Sequence, residues 1–284
     1  MPLNRACLDK TYPSSSTSVT LEAIQNYARA CSETNPRYFD ASIPGGIIAP
    51  PMFAVVVTWI PLIGIVTDPE LRADLLRLLH TAQEIEFLTP IRPGDEITGA
   101  ARIESIEAAP GGEAITLALS ATDHTGRPVN RARFTALIRS RRESAELRKA
   151  AAEADTPRTS APLFSVAQTI DSDQTPRYAE ASGDRNPIHV DENVAKMAGL
   201  PGIIVHGLCT MAFAARALVE TTCAGDPLRL KGMGVRFARP VFPSDTITTS
   251  IWPDANTGRF TFTTANANGL IVLRNGFAEI SNGS

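Results

Sequence analysis

Residues Phe87–Thr98 read FLTPIRPGDEIT, and residues Phe237–Thr248 read FARPVFPSDTIT, the same Phe-x-x-Pro-x-x-Pro-x-Asp-x-Ile-Thr frame 150 positions later. Two further correspondences lie upstream of each copy, in the same order. IIAPPMF (Ile47–Phe53) matches IIVHGLC (Ile203–Cys209), and IQNYARACSETNPRYFD (Ile24–Asp40) matches PRYAEASGDRNPIHVD (Pro176–Asp191). The second match pairs Tyr27 with Tyr178, Asn35 with Asn186, Pro36 with Pro187 and Tyr38 with His189. Ordered landmarks at a near-constant spacing are the mark of a duplicated domain. The chain has 284 residues, 43% of them hydrophobic, enough for two domains that each bury a core. The expected division is a first domain at 1–142, a linker at 143–162 and a second domain at 163–284. The linker is charged and alanine-rich, then rich in Pro, Thr and Ser.

Each copy has the same order of elements. A short amphipathic helix carrying Tyr27 or Tyr178 leads into an Asn-Pro turn. An apolar helix follows, at about Met52–Ile60 and Leu208–Glu220, with Pro61 expected to end or kink the first. Strand-type composition then recurs four times in each half. In the first half it covers Glu84–Phe87, Glu96–Ile106, Ala114–Asp123 and Arg131–Arg139. In the second it covers Arg229–Phe237, Asp245–Trp252, Arg259–Ala267 and Ile271–Ile280. The first half also carries a helical pattern with Asp68 as N-cap, Pro69 at the first position and leucines at 71, 75, 78 and 79. One helix followed by antiparallel strands, twice over, predicts an α+β chain with a sheet curled around a helix in each half.

Composition removes several classes of function. A net charge of −3, without an extended basic block, gives no nucleic-acid surface. Cys7, Cys31, Cys209 and Cys223 are too scattered for a disulfide framework, which suits a reducing compartment. Ile47–Val66 is uncharged over twenty residues, but Pro50, Pro51 and Pro61 interrupt it, so a buried helix is expected and not a membrane span. The first residues hold no apolar signal core, and a cytoplasmic location is expected.

SGDRNPIHVD (Ser182–Asp191) concentrates the chemistry. As a turn, its Gly-Asp and Asn-Pro pairs need no function. As a metal site, it would combine Asp184, His189, Asp191 and His206, but no metal-binding spacing frames them, so none is expected. As acid/base machinery, Asp184 and His189 stand five residues apart across the turn, where a carboxylate and an imidazole can share one water. Asn186 can orient either group or cap the turn. Comparison of the copies favours the last reading. Asn-Pro is kept in both, whereas Asp184 and His189 become Glu33 and Tyr38. Gly207 opens the second apolar helix, where free N–H groups favour developing negative charge. Its counterpart is Pro51, which has no N–H to offer.

On these residues, Tyr178-Ala-Glu-Ala-Ser-Gly-Asp-Arg-Asn-Pro-Ile-His189, followed by Ala195, resembles the hydratase 2 signature of MaoC-like (R)-specific enoyl-thioester hydratases. LPGIIVHGLCTM resembles that family's entry into the central helix. The first half, with IIAPPMF and AQEIEFLTPIRPGDEI, is similar to the N-terminal dehydratase domain often paired with a MaoC domain. The resemblance implies a double hot-dog fold, a fused pseudo-dimer with one active site. It implies Asp184 and His189 as the catalytic pair, with Gly207 as donor to the thioester carbonyl. Tyr178, Ser182, Asn186 and His206 are the candidate substrate-binding residues. No cofactor is implied, since CoA or an acyl carrier belongs to the acyl-thioester substrate. A homodimer is open to such a fold. Two alternative functions stand beside hydration: an acyl-thioesterase on the same fold, and a non-catalytic acyl-thioester-binding subunit.

Overall fold

The computed structural model describes residues 2–140, 160–254 and 259–281. Among the described residues, ten strands form one continuous antiparallel sheet. The first five are β1 (Ser15–Ser18), β2 (Leu78–Phe87), β3 (Glu96–Ala109), β4 (Gly112–Asp123) and β5 (Pro128–Arg139). The second five are β6 (Phe164–Thr169), β7 (Leu230–Phe237), β8 (Thr246–Asp254), β9 (Arg259–Asn266) and β10 (Ile271–Ile280). Their order is β1-β3-β4-β5-β2-β7-β10-β9-β8-β6, so each half contributes the same five-stranded arrangement and the halves join at β2 and β7.

The seam explains why a repeated sequence closes on itself. Glu84 faces Gly234 in the β2–β7 ladder, and these two are equivalents under the 150-residue spacing. The pseudo-twofold axis therefore passes through that pair. A β-carbon on Gly234 would sit 2.4 Å from a Phe277 ring carbon and 2.9 Å from the Glu84 side chain, so only glycine fits.

The described residues include five helices, α1 (Leu21–Ala30), α2 (Trp59–Val66), α3 (Gln174–Ser182), α4 (Glu192–Met197) and α5 (Gly207–Thr221), of which α2 and α5 pack on the sheet and α1 packs on α3. Helix α5 is apolar nearly all round and buried nearly all round, as a helix enclosed by a curled sheet must be. Its exposed exceptions include Glu220, which bonds Arg216 one turn earlier at 2.8 Å. In the first half the corresponding segment is broken. Pro51–Val55 makes a 3-10 turn, and α2 starts afresh at Trp59. Pro61 neither ends nor kinks a helix there. It lies in the first turn of α2, where a missing N–H costs nothing.

The helix expected from Asp68 onward does not form. Asp68 caps a turn, accepting from the Glu70 N–H at 3.0 Å, but Arg72 adopts a left-handed φ of 60° that stops propagation. Leu75–Arg77 is a 3-10 turn, and Leu78 and Leu79 enter β2 opposite Ile138 and Leu137. Strand pairing thus overrides a leucine spacing that fits a helix. The short edge strands β1 and β6 carry little hydrophobic signal and were not anticipated. Of the expected linker, 143–159 lies outside the described residues.

One hydrophobic core runs through both halves, joining Tyr27, Met52 and Phe53 to Tyr178, Met211, Phe213 and Val235. At its centre the Tyr27 hydroxyl donates to the Met52 carbonyl at 3.0 Å and lies 3.5 Å from the Tyr178 hydroxyl. Both rings are fully buried. A second cluster belongs to the first half alone, around Leu71, Ile103, Leu117 and Phe134. All four cysteines are buried and unpaired. Among the described residues no helix is long and apolar enough to cross a membrane.

Candidate active site

Helix α3 ends at Gly183, whose φ of 80° reverses the chain. A β-carbon there would meet the Trp59 ring at 3.2 Å, so the turn rests on α2 of the other half. The next residues hold one another by short-range hydrogen bonds. The Asp184 N–H donates to Ser182 Oγ at 3.2 Å, the Asn186 N–H to Asp184 Oδ1 at 3.2 Å, and the Ile188 N–H to Asn186 Oδ1 at 3.3 Å. Pro187–His189 then forms a 3-10 turn. The first copy is built alike: Ser32 takes a φ of 53°, Asn35 Oδ1 accepts from the Arg37 N–H at 3.0 Å, and Pro36–Tyr38 is a 3-10 turn. The Asn-Pro turn therefore belongs to the fold, and what differs is the chemistry mounted on it.

His189 is buried, and its Nδ1 lies 2.8 Å from the Ile204 carbonyl oxygen. A carbonyl can only accept, so the proton sits on Nδ1 and Nε2 carries a lone pair. His206 is likewise held by Nε2, 2.9 Å from the Asp184 backbone oxygen, leaving a buried Nδ1 with no partner among the described residues. The two imidazoles stack with centroids 3.8 Å apart and planes 26° apart, and Tyr178 backs His206 at 4.9 Å. Ligand atoms of Asp184, His189 and His206 lie within 4.8 Å of one another. That set has the composition of a metal site without its geometry. Imidazole lone pairs lie in the ring planes, and two nearly parallel stacked rings do not converge on one ion. Asp191, the fourth residue of the metal reading, instead caps α4 by accepting from the Asn193 and Val194 N–H groups.

Burial sets the electrostatics. It raises the Asp184 carboxyl above its usual range, opposed by the positive charge His189 can carry. It lowers His189, opposed by the negative charge of Asp184. The two affinities for a proton are thus drawn toward each other. His206 is pushed down to about 2, by burial first and by repulsion from His189 second, so it stays neutral. In the first half Glu33 stands where Asp184 does and is raised to about 8 by burial, with Arg216 opposing. The Tyr38 hydroxyl, at the His189 position, is buried without a hydrogen-bond partner.

Gly207 is the first residue of α5, and no side chain caps that end. Its N–H has no acceptor within the helix. The Phe237 ring covers it so closely that a β-carbon would stand 3.0 Å from Cε1. Between buried His206 and Leu208, Gly207 keeps partial exposure. Pro51 begins the matching 3-10 turn and offers no such donor.

The structure thus brings Asp184, His189, His206 and the loop into Gly207 together. The other candidates play supporting parts in this geometry. Ser182 and Asn186 spend their side-chain oxygens on the turn, and Tyr178 lies fully buried behind His206. Sequence reading missed three contacts: the Ile204 carbonyl, Trp59 and Phe237. Phe237 left a trace, since it opens the repeated frame, but nothing local ties it to Gly207 thirty residues earlier.

Residues 153–272 match the family model of the MaoC like domain, and residues 10–132 match the FAS1-like dehydratase domain region. A probable enoyl-CoA hydratase 2 from Dictyostelium discoideum is 31% identical over 83% of this chain and 79% of its own length. The peroxisomal multifunctional enzyme type 2 of Mus musculus is 28% identical over 81% of this chain and 31% of its own. Among solved structures, a MaoC-like dehydratase from Phytophthora capsici superposes with a TM-score of 0.81 at 24% identity, covering 98% of both chains. A Mycobacterium tuberculosis protein described as a double hotdog fold does so with 0.64 at 13% identity, covering 95% of this chain and 96% of that one.

Proposed function

The chain belongs to the enoyl-CoA hydratase 2 family of MaoC-like hydro-lyases, on a double hot-dog fold, and from that premise we propose a single catalytic site formed by Asp184, His189 and Gly207. The reaction is reversible addition of water to a trans-2-enoyl thioester, giving the (R)-3-hydroxyacyl thioester. The observation that supports this reading most is the difference between the copies. The second copy carries Asp184 and His189 on its Asn-Pro turn and an N–H at the Gly207 helix start, whereas the first keeps a carboxyl, Glu33, but has Tyr38 and Pro51 in the other two places.

In this reading a water sits between the Asp184 carboxylate and His189 Nε2. Asp184 takes a proton as the water oxygen bonds to Cβ and passes it to the His189 Nε2 lone pair, which delivers it to Cα. Both groups end as they began, and the elements of one water have been added. Their proton affinities, drawn together by burial, suit that exchange. Negative charge passes to the thioester oxygen, and the Gly207 N–H, reinforced by the α5 dipole, stabilises it there. No cofactor takes part in these steps; CoA or an acyl carrier enters with the substrate.

The test is hydration of a short enoyl-CoA by wild type, Asp184→Asn and His189→Ala, with folding checked by circular dichroism. Each variant should lose about 10²–10⁴ in kcat, the usual contribution of a positioned acid or base. A loss below about tenfold refutes the assignment. Release of free thiol from an acyl-CoA would instead identify a thioesterase.

A further inference from the structure

We propose that His80, a residue of the first half, is a positioning residue for the site in the second: it clamps the Phe237 ring against Gly207 and so holds the thioester carbonyl at the Gly207 N–H. The inference rests on the role given to Gly207 above.

The β2 strand starts the argument. Gln83 and Ile85 face the core, so simple alternation would turn Thr81 inward and His80 outward. The β2–β5 ladder instead slips between His80 and Ala82, with Thr81 as the extra residue. A bulge of one residue inverts the facing of everything upstream. It also marks the point where β2 parts from β7, whose pairing begins at Ala82. His80 therefore swings into the space that opens beside Phe237, the last residue of β7.

There its imidazole packs against two rings, with centroids 4.1 Å from Phe134 and 4.6 Å from Phe237. Nε2 donates to the Ala82 carbonyl at 3.0 Å, which fixes the ring plane. Burial lowers its pKa to about 3, so the ring stays neutral. Phe237 thus touches both Gly207 and a braced imidazole. The first half gives the control. By the 150-residue spacing, Leu230 stands for His80 and Phe87 for Phe237. A cavity of about 60 Å³ remains beside Phe87, Leu230 and Pro50–Pro51. Phe237, beside the donor glycine, has an aromatic brace, whereas its counterpart Phe87 has Leu230 in the corresponding place.

The hydrogen bond to a thioester oxygen strengthens as charge develops, so a loosened Phe237 should lower kcat more than it raises KM. The experiment compares kcat and KM for a short enoyl-CoA in wild type, His80→Ala, His80→Phe, His80→Gln and Asp184→Asn. The expected result is a fall of about tenfold or more in kcat for His80→Ala, with KM within about twofold, because ångström-scale misplacement of reacting atoms costs up to about 10². His80→Phe restores kcat, while His80→Gln, which keeps an N–H for the Ala82 carbonyl but has no ring, does not. Wild-type kcat in His80→Ala overturns the proposal, as does rescue by Gln and not by Phe, or an effect confined to KM. Should His80→Ala fail to fold, the contrast between Phe and Gln decides alone. Activity retained by Asp184→Asn, or absent from wild type, removes the underlying reading and this one with it. An inactive Asp184→Asn beside a fully active His80→Ala overturns this one only.

Discussion

Acidification from pH 7.5 to 5.0 should destabilise the folded chain through His206 in particular. Its folded pKa lies near 2, against 6.5 when exposed. Between those values the unfolded chain binds a proton that the folded chain refuses, so stability is fully present above about 6.5 and falls as pH drops below it. At pH 5.0 the unfolded side has 1.5 pH units of advantage, which at about 1.36 kcal/mol per unit is about 2 kcal/mol. At pH 7.5 the term is close to zero. With an m-value of roughly 2 kcal/mol/M, the urea midpoint moves by about 1 M. The comparison is with His206→Gln, whose amide can still donate to the Asp184 carbonyl but does not titrate. Other groups titrate in both proteins, so the difference between their two pH-induced shifts isolates His206. A His206→Gln protein whose midpoint drops as far as wild type's between pH 7.5 and 5.0 would show that His206 is not held neutral by burial.

Gly183→Ala forces a side chain into a left-handed conformation and against Trp59, which should cost about 1–2 kcal/mol and lower Tm by several degrees. An unchanged melting curve by scanning calorimetry would count against that turn geometry. Glu33, raised to about 8, holds a proton that the unfolded chain has lost above about 4.5, so wild-type stability declines as pH rises through that interval. Glu33→Gln should match wild type near pH 4.5 and exceed it at pH 8.5. Parallel pH–stability curves for the two proteins would refute burial as the cause.

The duplication was legible because turn residues leave fixed marks. Proline, glycine and aspartate sit where backbone geometry demands them, and the frame at Phe87 and Phe237 keeps them through divergence. The long strands were legible through alternation. Their joining into one sheet was not, because the β2–β7 seam depends on Gly234 leaving room for the Phe277 and Glu84 side chains, and no local pattern announces that. The leucines from 71 to 79 misled for the complementary reason: their spacing suits a helix, but the partner strand lies sixty residues away. Within the site, Asp184, His189 and Gly207 stood out by differing from their first-copy counterparts. The stacking of His189 on His206 was hidden, since it depends on how a turn packs against a helix start seventeen residues later.

The core that runs unbroken from Tyr27 and Phe53 to Tyr178 and Phe213 separates two kinds of constraint after duplication. Each copy is free to differ in its polar groups, as Glu33, Tyr38 and Pro51 do from Asp184, His189 and Gly207. It is not free to drift in shape, because its interior is also its neighbour's interior. Loss of either copy would strip the other of a wall. Deleting either half should yield an insoluble remnant and not a smaller enzyme.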